Sequence, residues 1–428
     1  MLKRLIIGLL AAMAVGVVGI GVFAWRPSLA KIAPPAPSSF APALVARGEA
    51  LAGAGYCSTC HTAKGGQPFA GGYPMKTSFG TIYSTNITPD AKTGIGAWSE
   101  PAFRRAMHQG VARNGKHLFP AFPYEHFSKL TDADVSALYA YMMTRPAVVA
   151  KAKSNTIPFP LNIRALQAGW KLLFFHAGRY EPDTTQSAEW NRGAYLAQGV
   201  SHCGACHTPR NALGAEKHDK AFAGALIDNW IAPPLTAANP SPVAWDQGEL
   251  VAYLSTGVSR YHGVAAGPMA PVAHGLAKLP AADIQALAVY FADLDKAATR
   301  TASLAPALRK AALSDHLNVG PQNDAAARLY TAACASCHYN GAGQPNPLRP
   351  DLALNSAVHL DDPTNLIQVM LHGVSAKDGA PGVVMPGFNR LSDADLASLA
   401  TYLRSTRTDK PAWQNLQKKV AAIRAQGK

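Results

Sequence analysis

The chain has six cysteines, and all of them fall in C-x-x-C-H strings: Cys57-Ser58-Thr59-Cys60-His61, Cys203-Gly204-Ala205-Cys206-His207 and Cys334-Ala335-Ser336-Cys337-His338. Two thiols at this spacing can add across the two vinyl groups of one porphyrin, while the following imidazole reaches its iron. Three strings predict three covalently bound haem c groups. Cys57, Cys60, Cys203, Cys206, Cys334 and Cys337 are then the attachment points, and His61, His207 and His338 the proximal iron ligands. Competing uses of the same residues fit less well. A thioredoxin-like redox motif needs one C-x-x-C in a strand-helix-strand context, which no part of the chain offers. A structural zinc site needs paired C-x-x-C units at short spacing, but Cys57, Cys203 and Cys334 are 146 and 131 residues apart. Long-range disulfides leave the three histidines unexplained.

The second axial position of each iron decides its potential and its access to small molecules. Met269, in GVAAGPM, and Met385, in VVMPGF, stand 14 and 10 residues ahead of Asp283 and Asp395. Each is expected to reach over a haem from a loop just before the last helix of its module; Met370, in LIQVMLHG, reads as core filler. Between Met107 and Met142 there is no methionine. The loop KHLFPAFPYEHF therefore supplies His117 or His126 or leaves the first iron open, and the first haem is expected to lack His/Met ligation and to have the lowest potential.

The elements that must hold these groups recur. Short helices are predicted ahead of each motif, over Pro42–Gly53, Ser187–Gln198 and Asn323–Ala332. Closing helices carry Asp, Leu four residues on and Tyr seven on: Asp134/Leu138/Tyr141, Asp283/Leu287/Tyr290 and Asp395/Leu399/Tyr402. Thr131 and Ser392 occupy capping positions. The reading is an all-α chain of three modules, 42–150, 187–298 and 323–410, joined by linkers 151–186 and 299–322 and ending in a basic tail, 411–428, taken as solvated by default. In the first linker, Leu166, Trp170, Leu173 and Phe174 form an apolar stripe. It is expected to pack between domains and, if exposed, to be a docking surface for a partner or a membrane.

Composition bounds the rest. With 48% apolar and 15% charged residues the chain is no disordered polymer, and 36 Gly with 32 Pro imply many loops. Forty Lys and Arg against 26 Asp and Glu give a net charge of +14, which suits an acidic protein or an anionic membrane surface. Nucleic-acid binding fails on compartment and on the lack of a dense basic run. Lys3 and Arg4 precede 21 uncharged residues, Leu5 to Trp25. That length favours a retained membrane anchor over a cleavable signal, although Ser28-Leu29-Ala30 would serve as a cleavage site. Positive charge at the N-terminus places the remainder on the periplasmic side. Residues 31–41, with three prolines, read as a stiff tether.

FAGGYPMKTSFGTIYSTNITPDAKTGIGAW (69–98) and LFPAFPYEHFSKLTDADVSALYAYM (118–142) closely resemble the first domain of the three-haem cytochrome c subunits of membrane-bound bacterial dehydrogenases, a likeness running from Ala46 to Thr406. The resemblance implies three tandem class I cytochrome c domains and an electron-transfer subunit that does not itself oxidise substrate. By position it carries the haem roles onto the nine Cys and His residues named above and distal roles onto Met269 and Met385. It implies a separate catalytic subunit using molybdopterin, or pyrroloquinoline quinone or flavin, a small iron-sulfur subunit as a further partner, and ubiquinone or a terminal oxidase as acceptor. Cytochromes of quinoprotein alcohol dehydrogenases have Met where this chain has Phe122. FPAFPYEHF and WRPSLAKIAPP look more like the cytochromes of molybdopterin-dependent aldehyde or N-heterocycle hydroxylases. The rival reading is a multi-haem peroxidase or reductase working at an open first haem, with His126, His117 and Glu125 as its acid-base groups.

Overall fold

In the computed structural model, residues 19, 21–300, 304–316, 324–338, 349–375 and 384–427 are described. They form two units, Met1–Pro182 with Gln198–His202, and Asp183–Ala197 with Cys203–Lys428.

The first unit runs α1 (Pro42–Ala54), α2 (Cys57–Cys60), β1 (Pro74–Thr77), β2 (Gly80–Tyr83), α3 (Glu100–Gln109), α4 (Tyr124–Phe127), α5 (Asp132–Met143) and α6 (Leu166–Phe174). A proline at the first position opens α1, where its missing N–H has no helical partner to lose. Thr131 caps α5 by accepting from the Asp134 amide. The two helices cross so closely at Gly48 that a Cβ there would lie 2.0 Å from the Ala137 carbonyl oxygen. The preceding residue, Arg47, pairs with the buried Asp134 carboxylate at 2.5 Å. Val135, Leu138, Tyr141 and Met142 bury the inner face of α5.

In the second unit come α7 (Ala188–Gln198, its last residue belonging to the first unit), α8 (Gly204–His207), β3 (Ala225–Ile227), β4 (Trp230–Ala232), α9 (Gln247–Thr256), β5 (Val258–Ser259), β6 (Gly263–Val264), α10 (Met269–Leu276) and α11 (Ala281–Leu294). They are followed by α12 (Leu304–His316), α13 (Ala325–Ala333), α14 (Ala335–His338), α15 (Thr364–His372), α16 (Asp393–Arg407) and α17 (Leu416–Gln426). The crossing device of the first unit recurs: a Cβ at Gly193 would lie 2.0 Å from the Ala286 carbonyl, and Arg192 pairs with Asp283 through two 2.7 Å hydrogen bonds. The third module closes differently, since Asp395 completes a capping box with Ser392.

Three features depart from the sequence reading. The chain is largely helical, but three two-stranded antiparallel hairpins join the helices, with pairings such as Pro74↔Tyr83 and Ala225↔Ala232. The C-terminal segment is no solvated tail: Trp413, Leu416, Val420 and Ile423 are buried in one core with Leu366, Ile367, Leu396 and Leu403. An amphipathic helix that can bury such a stripe gains more by packing than by hydration. The stripe in the first linker is divided: Leu166 and Leu173 are exposed, whereas Trp170 packs on Tyr124 of the first unit. Among the described residues no helix is long and apolar enough to cross a membrane; residues 1–18, the body of the expected anchor, lie outside them, as do residues 301–303 and 317–322 of the expected second linker.

Candidate functional site

Each C-x-x-C-H string forms a single tight turn. The His61 amide donates to the Cys57 carbonyl at 2.9 Å, that of His207 to Cys203 at 3.0 Å and that of His338 to Cys334 at 3.0 Å. Residues three apart on such a turn share a face, so the two thiols of each motif point the same way. In the first two motifs the turn is entered from a left-handed residue, Tyr56 at φ 58° and His202 at φ 35°, a conformation that non-glycine residues adopt only where the surroundings fix it. None of the six cysteines is in a disulfide, and burial pushes the thiols of Cys57 and Cys203 up to about 12.

The imidazoles are held by one repeated contact. Nδ1 of His61 lies 2.7 Å from the Thr85 carbonyl, Nδ1 of His207 2.7 Å from the Pro233 carbonyl, and Nδ1 of His338 3.0 Å from the Pro350 carbonyl. A carbonyl only accepts, so each Nδ1 carries the proton and each Nε2 keeps its lone pair. That is the tautomer a metal-ligating histidine needs, with the ring orientation fixed by the backbone. Paired thiols and an oriented Nε2 fit haem c at all three motifs. Among the described residues eight buried polar atoms have no hydrogen-bond partner; one of them, the Tyr402 hydroxyl, belongs to a side chain packed on the core that Cys334 also borders, and another is Nε2 of His262. The His262 ring stacks on Trp245 at 3.7 Å, and burial pushes its pKa down to about 3, so it is neutral.

The distal candidates have different settings. Met269 is the first residue of α10 and not a loop residue; it packs beside Tyr253, Ala265, Ala270 and Ala273. Met385 forms a two-way backbone bridge with Val374, at 2.9 and 2.8 Å, while Phe388 and Leu391 just beyond it border the same core as Cys334. Met370 is buried in that core. In the first unit, His117 has both ring nitrogens engaged: Nε2 lies 2.9 Å from the Ala24 carbonyl and Nδ1 3.2 Å from Nζ of Lys171. It is a structural residue. Burial, with the Arg26 charge adding, pushes Lys171 down to about 7, and its Nζ also donates to the Gln109 and Gly110 carbonyls at the end of α3. His126 is buried, with Nδ1 2.8 Å from the Gln198 carbonyl, the arrangement seen at the three motif histidines. Phe122 packs on Phe127 with ring centroids 5.2 Å apart. Sequence reasoning missed the carbonyl partners and the Arg47–Asp134 and Arg192–Asp283 pairs. The pairs had a signal, an Arg-Gly dipeptide in both opening helices.

Residues 45–146 and 324–407 match the cytochrome c family. The chain is 38% identical to the fructose dehydrogenase cytochrome subunit of Gluconobacter japonicus, over 87% of this chain and 81% of that one. It is also 38% identical to the gluconate 2-dehydrogenase cytochrome c subunit of Pantoea cypripedii, over 85% and 86%. The chain belongs to the cytochrome c subunits of dehydrogenases. Its role is electron transfer, and its cofactor is covalently bound haem c. This cytochrome is 47% identical, over 94% of its length, to one of the nicotinate dehydrogenase subunits of Pseudomonas putida, of which it spans about a third, 33%.

Proposed function

We propose that this cytochrome carries three haem c groups, one on each motif, and relays electrons one at a time from a catalytic dehydrogenase subunit to ubiquinone or a terminal oxidase at the periplasmic face of the cytoplasmic membrane. The observation that carries the reading is the Nδ1-to-carbonyl contact repeated at His61, His207 and His338, because a histidine with any other job has no need of the same tautomer three times. Haem c, when bound, supplies a one-electron ferric/ferrous couple. The chain's part is to tether the ring through Cys57/Cys60, Cys203/Cys206 and Cys334/Cys337, to aim the proximal Nε2, and to exclude water with the helix crossings. Met269 and Met385 are the proposed distal ligands of the second and third haems.

The first haem lacks His/Met ligation in this reading. Phe122 stands beside Pro123 as Met385 stands beside Pro386, and His117 is committed to Ala24 and Lys171. His126, whose Nδ1 already meets a carbonyl, is the proposed sixth ligand. The catalytic partner is proposed to be a molybdopterin hydroxylase of aldehydes or N-heterocycles with a small iron-sulfur subunit. The likeness to a nicotinate dehydrogenase subunit over 94% of the chain supports this branch over the quinoprotein or flavin one. The uncharged run of Leu5 to Trp25 is its proposed membrane anchor. The test is to purify the native complex, count haem by pyridine haemochrome against protein, and identify the largest subunit. Three haems per chain and a molybdopterin subunit are expected; two haems, or an isolated chain that turns over peroxide at enzymatic rates, would overturn the reading.

A further inference from the structure

The linker helix α6 has two faces. Inward, Ala168 and Lys171 are buried, Trp170 meets the Tyr124 ring edge-on at 6.3 Å, and Lys171 holds the end of α3. Outward, Leu172 is 69% exposed and Leu173 65%, with Leu166 beside them, and a side chain added at Gly169 would meet open space. The stretch leading into α6 adds Phe159, 78% exposed, Leu161 and Ile163. Single exposed apolar residues are ordinary, but six within one short stretch of a linker are not.

The loop from Gly110 to His117 ties this face to the N-terminal run. On one side it receives Lys171, and Arg164 donates to the His117 carbonyl at 3.1 Å. On the other, His117 meets the Ala24 carbonyl, Arg113 donates to the Leu29 carbonyl at 2.7 Å, and the Leu29 amide returns a bond to Arg113 at 2.8 Å. Just ahead of these contacts Val22, Phe23 and Trp25 are exposed, and they end the uncharged stretch that begins at Leu5. Charge agrees with the placement. No Asp or Glu occurs before Glu49 or between Asp134 and Glu181, whereas the second interval holds Arg145, Lys151, Lys153, Arg164, Lys171 and Arg179. Lys171 turns inward and Arg179 pairs with Asp132, but Lys151 and Lys153 are exposed, and an apolar face on a stretch of chain that carries exposed cations and no carboxylate matches the interface of an anionic bilayer.

We propose that the outward face of α6, with Phe159, Leu161 and Ile163, lies in the lipid headgroup region beside the N-terminal anchor and gives the first unit a second membrane contact. This rests on the anchored reading of Leu5 to Trp25. Two contacts fastened to one loop fix the first unit's orientation to the bilayer, which a single tether would leave free.

The experiment uses the full-length, haem-loaded chain. All six native cysteines belong to the motifs, so Leu172→Cys, Trp25→Cys and Leu213→Cys each add one labelling site for bimane, the last on an exposed residue of the second unit. Each labelled protein is reconstituted into phosphatidylethanolamine/phosphatidylglycerol vesicles with plain or brominated acyl chains. An interfacial helix buries its apolar face about 5–10 Å deep, so brominated lipid is expected to cut emission at 172 and 25 roughly twofold and to leave 213 unchanged. Quenching at 25 without quenching at 172 overturns the proposal and leaves the anchor standing. No quenching at either removes the anchor and the proposal with it. Shielding of 172 only after the catalytic subunit is added makes α6 a protein interface and also overturns it. As a second variant, Leu172→Glu with Leu173→Glu, labelled through Leu161→Cys, is expected to lose the quenching seen at 161 in the unmutated background while keeping Soret absorption. Unchanged quenching would place the contact elsewhere.

Discussion

The loop that follows Gly110 and the loop that follows Gly373 each close on an antiparallel backbone bridge, but Val374 and Met385 exchange both backbone hydrogen bonds, whereas Val111 and His117 face each other between the Ala112–Lys116 and Gly110–Leu118 bonds. In the second unit Val374 pairs with Met385; in the first, Val111 pairs with His117. Met385 is the proposed iron ligand, whereas His117 is engaged between a carbonyl of the N-terminal segment and Lys171. Closure on a backbone bridge therefore does not carry a shared ligand. What the bridge supplies is a place for a side chain, and neighbouring contacts decide whether that side chain can coordinate.

The largest expected effect comes from removing a site outright. Cys334→Ser with Cys337→Ser should lower haem per chain by about a third and stop electron delivery through the third haem, since both thioethers are lost; haemochrome assay and partner-driven reduction would read it. Next is an exchange of the two loops' chemistry. Met385→Ala should lower the potential of the third haem by on the order of 100 mV, given that axial ligation spans roughly 0.8 V, while Phe122→Met should raise that of the first and give it a far-red thioether-to-iron band. A spectroelectrochemical titration in which neither variant moves a wave would break the comparison.

The histidines of the first unit sharpen it. His126→Ala should change the spectrum and potential of one haem, whereas His117→Ala should leave both alone and cost about 1–3 kcal/mol in stability, the usual result of stranding a buried partner, here the Ala24 carbonyl. Reversal of that pattern in denaturant melts and redox spectra would exchange their roles. The smallest effect concerns pH. Burial holds His262 neutral, with a native pKa of about 3 against an ordinary value of about 6.5. Its contribution is complete above about pH 6.5 and falls as pH drops toward 3, by at most ~1.4 kcal/mol per pH unit. His262→Phe should flatten the acid limb of the stability profile by about one proton; an unchanged slope would show that Nε2 is already paired when haem is bound.

The motif cysteines and histidines were legible because their chemistry depends on spacing along the chain, and the closing helices because an Asp-Leu-Tyr pattern repeats on one helical face. The proximal histidines' partners were not. Thr85, Pro233 and Pro350 contribute only carbonyls, 24, 26 and 12 residues away, and every residue has a carbonyl. His117 and His126 could not be separated either, because ring nitrogens are claimed by groups from distant segments, Ala24 and Lys171 for one and Gln198 for the other.

By itself the sequence determined what can bind haem, how many motifs there are and which residues could meet the irons, since these follow from residue type and short-range spacing. Tertiary structure decided which tautomer each histidine holds, which loop histidine is spent on packing, that the C-terminal helix joins a core, and that Leu166 and Leu173 of the linker stripe face outward while Trp170 turns in. Those outcomes depend on which distant carbonyl, cation or apolar face is brought alongside, and a one-dimensional pattern carries no record of that.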